Sequence, residues 1–278
     1  MKNILKIMLM MIAIFTIAGS AVYAAEIPVS DQDQLITSSD WTEISNLQDE
    51  MKKEEPDATI DYDKALKVYV DCNLIKLQTA DTKKLTSALE SANYVWVIPF
   101  KMEKTYGMFT VAKGLPLSEE AKSVLTKAEQ EEVKNHAGKW MITEIAEHTV
   151  EPYYDILLEK REALSDCTRV VLVGSQPGMR QPVALGMDDE TARIWISLGY
   201  QYPVMEKIPE TQNVESGVYS FESVAEISDT YIEDSEVSTG AGVQSRSSMK
   251  YVAGIGIIVI GSIIILSVLK KKKLEDYE

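Results

Sequence analysis

The sequence predicts an α+β fold, a mostly antiparallel sheet with helices packed on it, plus one C-terminal transmembrane helix. Three observations lead there. Short runs rich in β-branched and aromatic residues, at 94–100, 106–112, 168–173, 182–187 and 192–197, are separated by turn-forming residues. Other segments repeat their apolar residues three or four positions apart, the period of an amphipathic helix. Near the end, residues 251–269 form a run of 19 without a charge, which at about 1.5 Å rise per residue covers about 28 Å, close to the hydrocarbon depth of a bilayer.

The elements follow in chain order. Lys2 and Lys6 flank a short basic region, 7–17 is apolar, and Val22-Tyr23-Ala24 offers slim residues to a signal peptidase. This predicts a signal peptide over 1–24, cleaved after Ala24, with an uncleaved N-terminal anchor as the competing reading. Residues 25–60 are acidic; Trp41, Ile44, Leu47 and Met51 recur at helical spacing after Asp40 and Glu43, which predicts a docking helix with a capping box. The domain outside the membrane is expected over 61–232. It opens on a strand at 66–70, continued by 73–77 beyond Cys72, and a helix at 81–92 whose Leu85 and Leu89 share a face. Residues 94–100 and 106–112 make an antiparallel hairpin, closed off by Gly114 and Pro116.

A helix from Ser118 to Asn135 restarts at Thr126, where Glu129 completes a capping box, and ends at Gly138. Residues 140–146 read as a strand and 152–164 as a helix with Tyr154, Leu157, Leu158 and Leu164 on one side. The runs 168–173, 182–187 and 192–197 form a meander, turning at Pro177-Gly178 and at Asp188-Asp189-Glu190. A helix at 223–231, capped by Ser223 with Glu226, ends the domain. Gly, Ser and Thr then dominate 233–250, a flexible stalk, and Lys270 to Lys273 after the span hold the tail 270–278 in the cytoplasm by the positive-inside rule. The expected topology is a cell-membrane protein of single pass, with the N-terminus outside after signal cleavage.

Charge narrows the partners. Between Ala25 and Met249 there are 40 acidic against 21 basic residues, a net −19 beside the whole chain's −15. Such a surface repels phosphate backbones, which argues against nucleic acid. The expected partners are membrane lipid through the transmembrane helix and an unidentified protein or small-molecule ligand. With two histidines in the chain, His136 and His148, catalytic arrangements that need an imidazole have few ways to form, and both are read as structural. Asp61-Tyr-Asp63 opens like a calcium loop but has Leu66 where glycine is needed and Cys72 in place of the closing glutamate. No cofactor or metal is expected.

Cys72 and Cys167 are a candidate disulfide in an oxidising exterior; where the environment is reducing they read as two small buried hydrophobes. The favoured binding surface is the loop between two rigid strands that carries Gln176, Arg180 and Gln181, where Arg180 is a cation in an acidic domain. Trp96, Trp140 and Trp195 are assigned to the core. The functional expectation is a non-enzymatic binding, sensing or interaction module held at the surface of a prokaryotic cell. The alternatives are a membrane-anchored hydrolase using paired carboxylates and an envelope-structural subunit.

Overall fold

The computed structural model describes residues 27–148, 151–174, 176, 179, 182–199, 205–208 and 213–227. They form a mixed α+β fold around one large, mostly antiparallel sheet. Its strands are β1 (Thr59–Ile60), β2 (Leu66–Tyr69), β3 (Tyr94–Lys101), β4 (Tyr106–Lys113), β5 (Trp140–His148), β6 (Arg169–Val173), β7 (Val183–Met187), β8 (Ala192–Ser197), β9 (Asn213–Glu215) and β10 (Val218–Ser220). Their order is β5-β4-β3-β2-β6-β7-β8-β10-β9, with β1 also on β3. Among these strands the central β2–β6 pair alone is parallel, and it is short: Val68 faces Leu172 and Tyr69 faces Val173. Two antiparallel arms thus spread from a narrow parallel seam: the meander β2 to β5 on one side, and on the other the meander β6 to β8 followed by β10 and then β9. β1 and β2 continue each other along β3, and the Tyr62–Lys64 3-10 turn takes up the extra residues on their side.

Period-two alternation gives the sheet two apolar faces. Leu66, Val68, Val170, Leu172, Ala184 and Ile196 point to one, where they meet Leu164 and the Tyr153 and Leu157 side chains of α6 (Tyr153–Glu159). Tyr69, Val171, Val173, Leu185 and Trp195 point to the other, beneath Leu85 and Leu89 of α3 (Thr82–Glu90) and Val224 of the helix at 221–227. Trp96, Ile98, Phe100, Phe109 and Val111 extend this second face under Ile44 and Met51, which come from α1 (Trp41–Ile44) and α2 (Gln48–Glu54). Ile44, Met51, Trp96 and Trp195 are all fully buried. The helices α4 (Glu119–Val124) and α5 (Lys127–His136) lie in the connection from β4 to β5, and α5 buries none of its residues.

Several local expectations hold. Asp81 caps α3 by accepting from the Lys84 N–H at 3.0 Å, Ser118 caps α4, and Thr126 and Glu129 close the expected capping box on α5. Others shift. Asp40 does not cap the first helix, because its carboxylate turns inward to accept from Tyr94 and Trp96. Residues 75–77 form a 3-10 turn where strand was expected, and α6 ends at Glu159, before the predicted 164. The last helix begins at 221, and the Ser220 hydroxyl accepts from the Ser223 N–H, so the cap lies three residues upstream of the predicted one.

The N-terminal segment is part of the sheet's centre. Ile27 and Val29 are buried on the α6 face, whereas Leu35 is buried on the opposite face beside Ile44 and Trp96. In between, the chain passes through the notch below the short parallel seam: Val29 bridges Val170 of β6, and Gln34 bridges Leu66 of β2. Among the described residues no helix is long and apolar enough to cross a membrane; residues 251–269, expected as a transmembrane helix, and residues 1–24, expected as a signal peptide, lie outside the described residues.

Candidate functional site

A cleft of about 140 Å³ opens where β1, the hairpin β3–β4 and the start of α6 meet; Asp61, Lys64, Lys101, Tyr106 and Asp155 are among its lining residues. The 3-10 turn between β1 and β2 supplies Lys64, whose ammonium donates to Asp155 at 2.9 Å and lies 3.7 Å from Asp61. The hydrogen bond to Asp155 raises the Lys64 pKa, partly opposed by burial. Lys64 is therefore an ammonium at neutral pH and stands between the two carboxylates. Across the cleft the Lys101 ammonium lies 5.7 Å from the centre of the Tyr106 ring. Proline and aromatic walls, from Pro99, Pro152 and Phe100, complete it. The arrangement offers charge of both signs at one opening.

A second cluster is internal and sits on the seam between β2 and β6. Asp33, 2% exposed, accepts from the Tyr69 hydroxyl at 2.9 Å, from Arg169 Nη2 at 2.9 Å and from the Ser30 hydroxyl at 2.6 Å. The Lys67 ammonium lies 3.7 Å from the same carboxylate. It also faces three aromatic rings, with its Nζ 4.5 Å from the centre of Tyr94, 5.2 Å from Trp96 and 5.9 Å from Tyr69. Burial lowers the Lys67 pKa, opposed by the charges of Asp33 and Asp40. The Tyr69 hydroxyl is pushed up by burial and by the adjacent Asp33 carboxylate, so it remains a donor. Taking an ammonium out of water costs several kcal/mol; the carboxylate and the aromatic faces offset part of it.

The residues favoured from sequence have other placements. Gln176 is 3% exposed, and its amide is committed to backbone: it accepts from the Leu74 N–H at 3.0 Å and donates to the Cys72 and Gly174 carbonyls at 2.6 and 2.9 Å. It ties the loop after β2 to the loop after β6. Arg180 and Gln181 lie outside the described residues. Cys72 and Cys167 are free thiols and belong to the cores on opposite faces of the sheet. His136 sits in the last turn of α5, its Nδ1 2.9 Å from the Glu132 carbonyl oxygen. The Asp188 carboxylate accepts from the Glu190 and Thr191 N–H groups at 2.8 and 2.6 Å and pairs with Arg193, so it builds its hairpin turn.

Sequence reasoning missed both clusters. Lys64 and Asp155 are 91 positions apart and Asp33 and Arg169 are 136 apart; only the seam brings them together. One signal was available: Lys67 interrupts the apolar strand 66–70 and Arg169 the run 168–173, each on a strand buried on both faces. No family model, curated protein or solved structure matches the chain, so the functional reading stands on this geometry.

Proposed function

We propose that the chain is a single-pass membrane protein whose acidic α+β domain lies outside the cytoplasm and acts as a non-enzymatic binding, sensing or interaction module at the cell surface. The uncharged run 251–269, followed at once by four lysines, supports the tether. The binding role is carried by the cleft between Lys64 and Lys101, which presents two ammonium groups and the carboxylates of Asp61 and Asp155 from the turn after β1, the end of β3 and the first turn of α6. A cleft of about 140 Å³ has room for a group the size of about five water molecules. A small ligand carrying both charges, or the charged end of a peptide, fits that chemistry.

Asp61 and Asp155 facing one cleft is also the observation that favours the second reading, a hydrolase of the two-carboxylate type. Lys64 opposes it, since its ammonium occupies the space between them that a scissile bond would need. The test is thermal unfolding of the full-length chain in detergent, with glycine as the zwitterionic probe. Binding predicts a rise in Tm of about 5 °C at a hundredfold excess over Kd, lost in Lys101→Met and in Asp61→Asn. No shift over the millimolar range overturns the cleft as a zwitterion site. Turnover of aryl glycosides that disappears in Asp155→Asn establishes the hydrolase instead.

A further inference from the structure

β5 is an open edge of the sheet. It ends the strand order and pairs with β4 alone, and among the described residues its main chain makes no hydrogen bond outside that ladder. In an antiparallel edge strand alternate residues turn their N–H and C=O groups outward, so β5 offers a row of unpaired donors and acceptors. It is nine residues long, against three for β9 at the other end of the sheet. Proline and lysine, which blunt many natural edges, are absent from 140–148.

The side chains along this edge point to what would lie there. Register fixes their faces: Ile142 stands opposite Val111 and Ile145 opposite Phe109, on the face of the Trp96 core, whereas Glu144 stands opposite Thr110 on the other face. The bulge at Thr143 produces that spacing, and the Thr143 hydroxyl secures it by donating to the Thr110 carbonyl at 3.1 Å. Ile142 and Ile145 are half-buried at the rim of their core. Glu144 is exposed; its carboxylate accepts from the Thr110 hydroxyl at 3.4 Å, and no cation pairs with it among the described residues. A strand laid on this edge would complete both faces at once, with apolar side chains beside the two isoleucines and a cation beside Glu144.

A second copy of the chain fits the edge poorly. Glu144 is the middle residue of β5, so a fully overlapped antiparallel pair of β5 strands brings two Glu144 carboxylates together at its centre, where like charges repel. Each copy also carries a net charge of −15. Both facts favour a basic occupant over the chain itself.

We infer that the outer edge of β5 is a docking site for an extended segment of a partner protein in which apolar residues alternate with lysine or arginine. The segment joins the sheet as a further strand beyond β5: its main chain pairs with the row of open groups, its apolar residues cover Ile142 and Ile145, and its cations face Glu144. The inference does not depend on the cleft between Lys64 and Lys101.

The probe is a fluorescein-labelled peptide that alternates valine with lysine. It is titrated with the full-length chain in detergent and followed by fluorescence anisotropy in about 0.15 M salt, where remote charges are screened. Docking predicts saturable binding that Glu144→Lys weakens about tenfold. Glu90→Lys, an equal charge reversal on the last residue of α3, should leave it unchanged. A peptide N-methylated at every residue, with the same charges but no main-chain donors, should not bind. Should Glu144→Lys fail to fold, Glu144→Gln takes its place, with a loss of about threefold. No saturable binding over the micromolar range overturns the site. Equal losses in Glu144→Lys and Glu90→Lys, or undiminished binding of the N-methylated peptide, reduce the effect to general attraction between opposite charges and overturn it as well. Sedimentation of the chain alone covers the remaining occupant: a dimer that the parent peptide dissociates and the N-methylated one does not would make the partner a second copy, against the inference.

Discussion

Burial disfavours the thiolate form of both Cys72 and Cys167. Burial pushes the Cys72 thiol up to about 12, helped by the charge of Asp71, and pushes Cys167 up to about 11, partly opposed by Arg193. Since the thiolate is the nucleophile, both should react slowly at neutral pH. Iodoacetamide at pH 7.5 is therefore expected to leave both unmodified in the native chain and to label both once it is unfolded in guanidinium. Rapid native labelling of Cys72, which is half-buried, would contradict the raised thiol pKa. Other side chains at this scale likewise take roles that their residue type does not announce. Asp40 has the spacing of a helix cap but anchors two aromatic donors, and Gln176 sits in a loop yet serves as an internal strut.

Hairpins and caps are where sequence and structure agree best, because the contacts that form them are local. The β3–β4 hairpin pairs Phe100 with Gly107, and a Cβ built on Gly107 would lie 2.1 Å from the Phe100 ring. The ring lies over the glycine and 4.7 Å from the ring of Phe109, so a strand glycine that costs propensity is retained for a close approach. The β7–β8 hairpin depends on charge. Backbone N–H groups of Thr191 and Glu190, with Arg193, hold the Asp188 carboxyl down to about 2, below its ordinary 3.8. A depressed carboxylate stabilises the fold above its unfolded value, and that contribution is lost as pH falls through the folded one. Asp188→Ala should consequently lower Tm at pH 7, and the difference from wild type should shrink between pH 4 and pH 2. A difference that persists undiminished at pH 2 would show that the ionised carboxylate is not what matters.

At the scale of the molecule, one sheet serves two cores, and neither core has a sheet of its own. Leu157 packs on one face and Leu89 on the other. Replacing either with alanine should cost about 2 to 5 kcal/mol and should lower the same single transition, seen alike by tryptophan fluorescence and far-UV circular dichroism. Separate transitions for the two variants would mean that the seam does not couple the halves. The sequence by itself determined the mixed α+β class with its mostly antiparallel sheet, the β3–β4 hairpin, the β6–β7–β8 meander, α3 and the α4–α5 pair with its caps, since periodicity and capping act within a few residues. Only the tertiary structure decided the parallel β2–β6 seam, the passage of the N-terminal segment through the notch below it, and the meeting of Asp33 with Lys67 and Arg169 and of Lys64 with Asp155. Contacts between residues 34 to 136 positions apart are set by how strands align across the whole sheet, and no local pattern encodes that alignment.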